Sequence, residues 1–211
     1  MADPWRIAAM AGAIIVLGTS LAFSTAGTRP SASHPAGDAK RGEEPAQVCL
    51  TCHGATPLKY GDPPIDPPLL RGQRENYIFL ALHAYGAGGR TEPTMQPFAA
   101  ALDEQQMRDV AAYLAGPPKP VPTVNMAGSA GHREAIAKCG ICHGETGMGE
   151  MQGMPVITGQ RFEYLERALQ EYRDGRRSAA AMVAVAKQTS PAEARTILRY
   201  YAAQNALEAA R

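Results

Sequence analysis

Apolar residues recur at helical spacing over two similar stretches, Arg74 to Tyr85 and Arg161 to Arg173, and each stretch ends in glycine. Further along each half a second helix announces its start. Asp103 is followed by Gln106 three residues on, and Ser190-Pro191-Ala192-Glu193 is a capping box with proline at the first helical position. Asp38 can cap another helix that leads into Cys49, with Pro45 kinking or shortening it. A parallel helix runs from about Ser129 toward Cys139. The pattern predicts an all-α chain of short helices with no substantial sheet.

One stretch differs in kind. Arg6 precedes an apolar run from Ile7 to Phe23, followed by Ser24-Thr25-Ala26-Gly27. Seventeen residues is long for the core of a signal peptide and slightly short of the ~20 that span a bilayer. Residues 1–26 therefore read as a signal peptide cleaved after Ala26 or as an N-terminal membrane anchor held through residues 7–26. Residues 27–37, rich in Ser, Pro and Ala, then form a tether. On either reading the remainder lies outside the cytoplasm, in the periplasm, soluble or anchored to the inner membrane.

The remainder repeats itself. Setting Gly72-Gln73 over Gly159-Gln160, an offset of 87, aligns Pro68 with Pro155, Tyr77 with Tyr164, Leu82 with Leu169 and Tyr85 with Tyr172. The match continues through Arg90 with Arg177, Met95 with Met182 and Tyr113 with Tyr200. Residues 117–127 are proline-rich, cannot be helical and make a stiff linker. The expected domains are thus 38–116 and 128–211, related by internal duplication.

Composition adds a constraint. Only 6% of residues are aromatic, so each small domain would have a thin core if protein atoms alone filled it. The net charge of +1 says nothing by itself about nucleic acid, but the lack of a basic patch interleaved with aromatics excludes it. Charge is divided unevenly: seven basic against ten acidic residues in 38–116, eleven against nine in 128–211. Opposite signs could steer different partners to the two ends, or reflect no more than solvated surfaces.

The four cysteines supply the chemistry. They occur as Cys49-Leu50-Thr51-Cys52-His53 and Cys139-Gly140-Ile141-Cys142-His143. Two thiols three positions apart can form thioethers to the two vinyl groups of one haem, and the adjacent imidazole then reaches the iron. A Cys₄ zinc site or a pair of redox dithiols would leave both histidines unexplained. Two covalently attached haems c are expected, with His53 and His143 as proximal ligands, and each macrocycle becomes the missing core of its domain.

The repeat also nominates the sixth ligands. Met95 and Met182 share a place, and no other methionine or histidine is matched between the copies. Met148, Met151 and Met154 crowd a Gly-rich loop just after the second motif and read as packing or surface residues, and Met107 reads as core. His34, His83 and His132 read as ordinary polar histidines. Met/His coordination leaves no open site, which favours a carrier over a catalyst. A proximal imidazole needs an acceptor for its other N–H, and the carbonyls of Pro68 and Pro155 are candidates. Arg90 and Arg177 could pair with haem propionates or simply be solvated arginines at helix ends.

The two C-x-x-C-H motifs, each followed by P-x-x-x-G-Q, an arginine, a distal methionine and a final helix with Tyr113-Leu114 or Tyr200-Tyr201, resemble the cytochrome c4 family. The resemblance covers roughly residues 38–205. It implies two tandem class I cytochrome c domains about a pseudo-twofold axis, with propionates near the interface. It also implies a periplasmic electron carrier, not an enzyme, in the respiratory chain, passing electrons from a quinol-oxidising bc1-type complex to a terminal oxidase, often cbb3-type. The alternative is the dihaem cytochrome subunit of a dehydrogenase, such as flavocytochrome c sulfide dehydrogenase.

Overall fold

The computed structural model describes residues 36–54, 66–116, 130–149, 151 and 153–204. The apolar N-terminal run, the tether, His34 and the proline-rich linker lie outside the described residues. Asp38 opens the first helix as its sequence suggests, its carboxylate accepting from the Lys40 and Arg41 amides at 2.8 and 3.2 Å. Pro45 then breaks the segment in two: α1, Ala39–Gly42, and α2, Gln47–His53, are separated by one turn. Helices α3 (Glu75–Gly86), α4 (Met95–Ala100) and α5 (Glu104–Ala115) complete the first half.

The second half repeats the order. Helix α6, Ala130–Ala135, passes through a π-helical turn, Ile136–Gly140, into α7, Ile141–His143. Alanine stands at position 135, where the 90-residue offset of the motifs puts the counterpart of Pro45, so the backbone stays helical, and the wider turn carries Cys139. Then follow α8 (Phe162–Arg173), α9 (Ala180–Gln188) and α10 (Pro191–Ala202). Both capping boxes form, Asp103 with Gln106 and Ser190 with Glu193. Gly88 and Gly175, after the ends of α3 and α8, take φ of 77° and 82°, the left-handed conformation that glycine adopts without a Cβ penalty.

In each half the N-terminal helix packs on the C-terminal one, α1 on α5 and α6 on α10. The approach of α1 is close: a Cβ on Gly42 would fall 1.9 Å from the Asp109 carbonyl oxygen. The protein cores are thin. Ile78, Leu82, Met107, Val110 and Leu114 with three alanines fill the first, while Leu165, Ile197, Leu198, Tyr200, Tyr201 and Ala135 fill the second. Among the described residues there is no strand, only an isolated antiparallel bridge between Arg90 and Arg177. No helix among them is long and apolar enough to cross a membrane.

Buried Asp109 ties α1 to α5. It accepts from the Asp38 amide at 2.8 Å, from Arg41 Nε and Nη2 at 2.7 and 2.9 Å, and from Gln105 Nε2 at 2.9 Å. The Arg41 hydrogen bond, ahead of the backbone and Gln105 donors and against the effect of burial, holds the carboxyl down at about 2. A carboxyl depressed in the folded state stabilises above its unfolded pKa, near ~3.9, and that contribution is lost as pH falls through about 2. Asp109→Asn is expected to flatten the acid limb of the melting temperature between about pH 4 and pH 2. It should also lower neutral-pH stability by about 2 kcal/mol. Thermal melts across pH 2–7 check both, and an unchanged acid limb counts against the assignment.

Candidate haem sites

Helix α2 presents Cys49, Cys52 and His53 within little more than one turn, and the π turn with α7 presents Cys139, Cys142 and His143 in the same way. All four cysteines are half-buried and none is paired in a disulfide, whereas both histidines are buried. Burial pushes the Cys49 and Cys139 thiols up, the latter to about 11. Such thiols are poor candidates for the low-pKa thiolates of a redox dithiol. Nor do three or more His, Cys, Asp or Glu converge on one point among the described residues, as a Cys₄ zinc site requires.

Each histidine is held by the expected proline. His53 Nδ1 lies 2.8 Å from the Pro68 carbonyl oxygen, and His143 Nδ1 lies 3.3 Å from that of Pro155. A carbonyl only accepts, so Nδ1 must carry the proton and Nε2 keeps its lone pair. Burial lowers both imidazole pKa values, which favours that neutral form. An imidazole with a free Nε2 beside two thiols fits covalent haem ligated from this side. In the second half, the Gly-rich loop that delivers Pro155 folds back on itself. Gly149 N–H donates to the His143 carbonyl at 2.7 Å and Ile157 N–H to that of Gly147 at 2.9 Å. Gly149 has φ of 66°, and a Cβ there would sit 2.7 Å from the Met154 carbonyl oxygen, so the loop needs glycine.

Met95 is the first residue of α4 and packs, with Cys49, against the first core. Its N–H donates to a carboxylate oxygen of Glu92 at 2.9 Å. Met182 is half-buried at the third position of α9, not the first, so its backbone setting differs from that of Met95, although α9 packs on α8 as α4 packs on α3. Of the other methionines, Met151 is exposed, Met148 and Met154 are half-buried, and Met107 is core. His83 is exposed on α3, and the side chain of His132 lies outside the described residues.

The halves meet through residues that the repeat uses only as landmarks. Gln73 Nε2 donates to the Val156 carbonyl at 2.9 Å while Val156 N–H donates to Gln73 Oε1 at 2.7 Å. Gln160 does the same to Leu69, at 3.0 and 2.9 Å. Arg161 adds bonds to the Gly54 carbonyl at 2.9 Å and to that of Pro67, and Arg74 Nε donates to Met148 O at 3.1 Å. A glutamine conserved in place between the copies, following a glycine and flanked by arginine, was the available signal.

Beside this seam Arg90 and Arg177 are not solvated helix-end arginines. Arg177 is buried against Glu171, and Arg90 lies over the Tyr85 ring at 4.5 Å with its Nε buried and unpartnered. Burial alone would raise the Tyr164 phenol, but the guanidiniums of Arg177 and Arg90 override it and draw the pKa down to about 8. Burial pushes Tyr85 up to about 12 against the pull of Arg90, and raises Tyr77 too.

Residues 39–116 match the family model for cytochrome c. The chain is 33% identical over 156 residues to cytochrome c4 of Pseudomonas aeruginosa, covering 69% of this chain and 76% of that one. The chain belongs to the cytochrome c4 family. It is also 33% identical over 172 residues to the thiosulfate dehydrogenase electron acceptor of Stutzerimonas stutzeri, covering 74% and 79% of the two chains. The solved structure of reduced cytochrome c4 from Pseudomonas stutzeri matches with a TM-score of 0.66 at 25% identity, over 80% of this chain and all of that one. As a cytochrome c4, the protein carries two tandem cytochrome c domains and binds two haems c through Cys49, Cys52, Cys139 and Cys142. It is a dihaem electron carrier.

Proposed function

We propose that this cytochrome works outside the cytoplasm as a non-enzymatic relay between a quinol-oxidising bc1-type complex and a terminal oxidase. Haem iron, when bound, supplies the one-electron chemistry. The chain's own residues fix it in place: the cysteines anchor each macrocycle, and the Pro68 and Pro155 carbonyls orient His53 and His143. Met95 and Met182 would each supply a second ligand to the iron of their half. The observation that supports the reading is the matched proline-held imidazole, which recurs in both halves and gives two sites of one design.

A second reading, electron acceptor for a periplasmic dehydrogenase, is supported by the relative described as a thiosulfate dehydrogenase electron acceptor. Flavocytochrome c sulfide dehydrogenase would be another such donor, recognised by a stable flavin-containing partner that co-elutes with the chain. Stopped-flow reduction decides. Faster reduction of the purified holoprotein by a bc1-type complex with quinol than by thiosulfate with its dehydrogenase, followed by oxidase-dependent reoxidation, is the expected result. The reverse order favours the second reading.

A further inference from the structure

The duplicated scaffold around the Arg90–Arg177 bridge repeats closely. Arg90 N–H donates to the Ala84 carbonyl and Arg177 N–H to the Glu171 carbonyl, both at 3.1 Å, so Ala84 and Glu171 occupy one place in the two copies. In the first copy that place holds a methyl group. In the second it holds a carboxylate whose side chain is only 8% exposed.

The consequence is electrostatic. Glu171 Oε2 accepts from Arg177 Nε at 2.5 Å, and its other oxygen lies 3.7 Å from Arg167 Nε and 3.8 Å from Arg176 Nη1. Arg176 is about half exposed and Arg167 partly so, so water screens both, and the buried partner is Arg177. Arg90 has alanine where Arg177 has its carboxylate, and its Nε is buried with no hydrogen-bond partner. Aromatic faces and a phenol do not neutralise a cation drawn partly out of water, which is costly unless an anion is supplied. A haem propionate is the anion that fits a seam between two haem domains.

We infer that Glu171 makes the two haems electrically inequivalent. Its carboxylate occupies Arg177, leaving Arg90, whose guanidinium bonds the Tyr164 phenol but keeps an unpartnered Nε, as the one more available to a propionate, and it lowers the reduction potential of the second haem. The sign follows from charge: ferric haem carries one more positive charge than ferrous haem, so a nearby carboxylate favours the oxidised form. The inference rests on the two-haem reading and adds a residue that tunes it.

Spectroelectrochemical titration of the full-length holoprotein tests it, with Glu171→Gln and Ala84→Glu compared with wild type. Glu171→Gln should raise one couple, changing the equilibrium for sharing an electron between the haems by about tenfold, the effect of one unit charge at ~10 Å in a partly polar medium. Ala84→Glu, which supplies Arg90 with a carboxylate, should lower the other couple. A response of the same couple to both variants, an equal displacement of both couples in either, or no displacement overturns the inference. If Ala84→Glu does not assemble two haems, Glu171→Gln alone decides: one couple moving upward supports it, and any other result overturns it. A pyridine haemochrome count other than two per wild-type chain would instead sink the two-haem reading.

Discussion

Met182→Ala is expected to abolish the methionine–iron charge-transfer band of one haem while the other haem keeps it, and Met95→Ala to do the converse. The thioether is a weak, soft ligand that favours ferrous iron, and with histidine opposite it raises the potential. Alanine offers nothing to replace it. The affected couple should fall by roughly 0.1–0.3 V, well within the ~0.8 V range over which axial ligands move haem potentials. The two variants should differ in how the vacated face responds. Met95 heads α4 with its N–H held by Glu92, whereas Met182 lies at the third position of α9. Near-infrared absorption together with a redox titration reads both effects. Retention of the band at both haems in either variant refutes the ligand assignment.

Gln73→Ala and Gln160→Ala come second in expected size. Each glutamine is almost fully buried and exchanges two hydrogen bonds with the backbone of the opposite half. Truncation removes both and leaves an N–H and a carbonyl without partners, buried at Val156 in one case and partly buried at Leu69 in the other. Each buried orphaned group costs about 1–3 kcal/mol, so Gln73→Ala should lose about 2–6 kcal/mol and Gln160→Ala, whose partner is partly solvated, less. The loss should fall on the coupling between halves. Calorimetry of the holoprotein is expected to show one unfolding transition in wild type and two in the double variant. A single transition at an unshifted temperature in the double variant would show that the glutamines do not couple the halves.

Local chemistry was the legible part of the fold. Asp38, Asp103 and Ser190 each cap the helix that their sequence context announces, and Pro45 breaks its helix, because caps and prolines act over three or four residues. The C-x-x-C-H motifs are equally local, and the matched prolines follow from what a proximal imidazole needs. Gln73 and Gln160 were visible only as landmarks, since their partners lie 83 and 91 residues away and no local pattern marks a side chain that bonds a distant backbone. Glu171 was hidden for another reason. On α8 it reads as one more polar residue on an amphipathic helix, and only the fold turns it inward against Arg177. The π turn before Cys142 follows from an unbroken helix around Ala135, which sequence spacing alone does not reveal.

The paired glutamine bonds have an evolutionary corollary. Residue 73 reaches toward 156 as residue 160 reaches toward 69, which is an isologous contact, the kind that joins two copies of one subunit about a dyad. Each half therefore carries both faces of its own interface. A one-haem ancestor bearing this surface was already equipped to form a homodimer, and fusion through a linker merely made that pairing permanent and independent of concentration. Only after fusion can the two positions drift apart, since a homodimer must change both at once, and the alanine at 84 facing the glutamate at 171 is one such divergence.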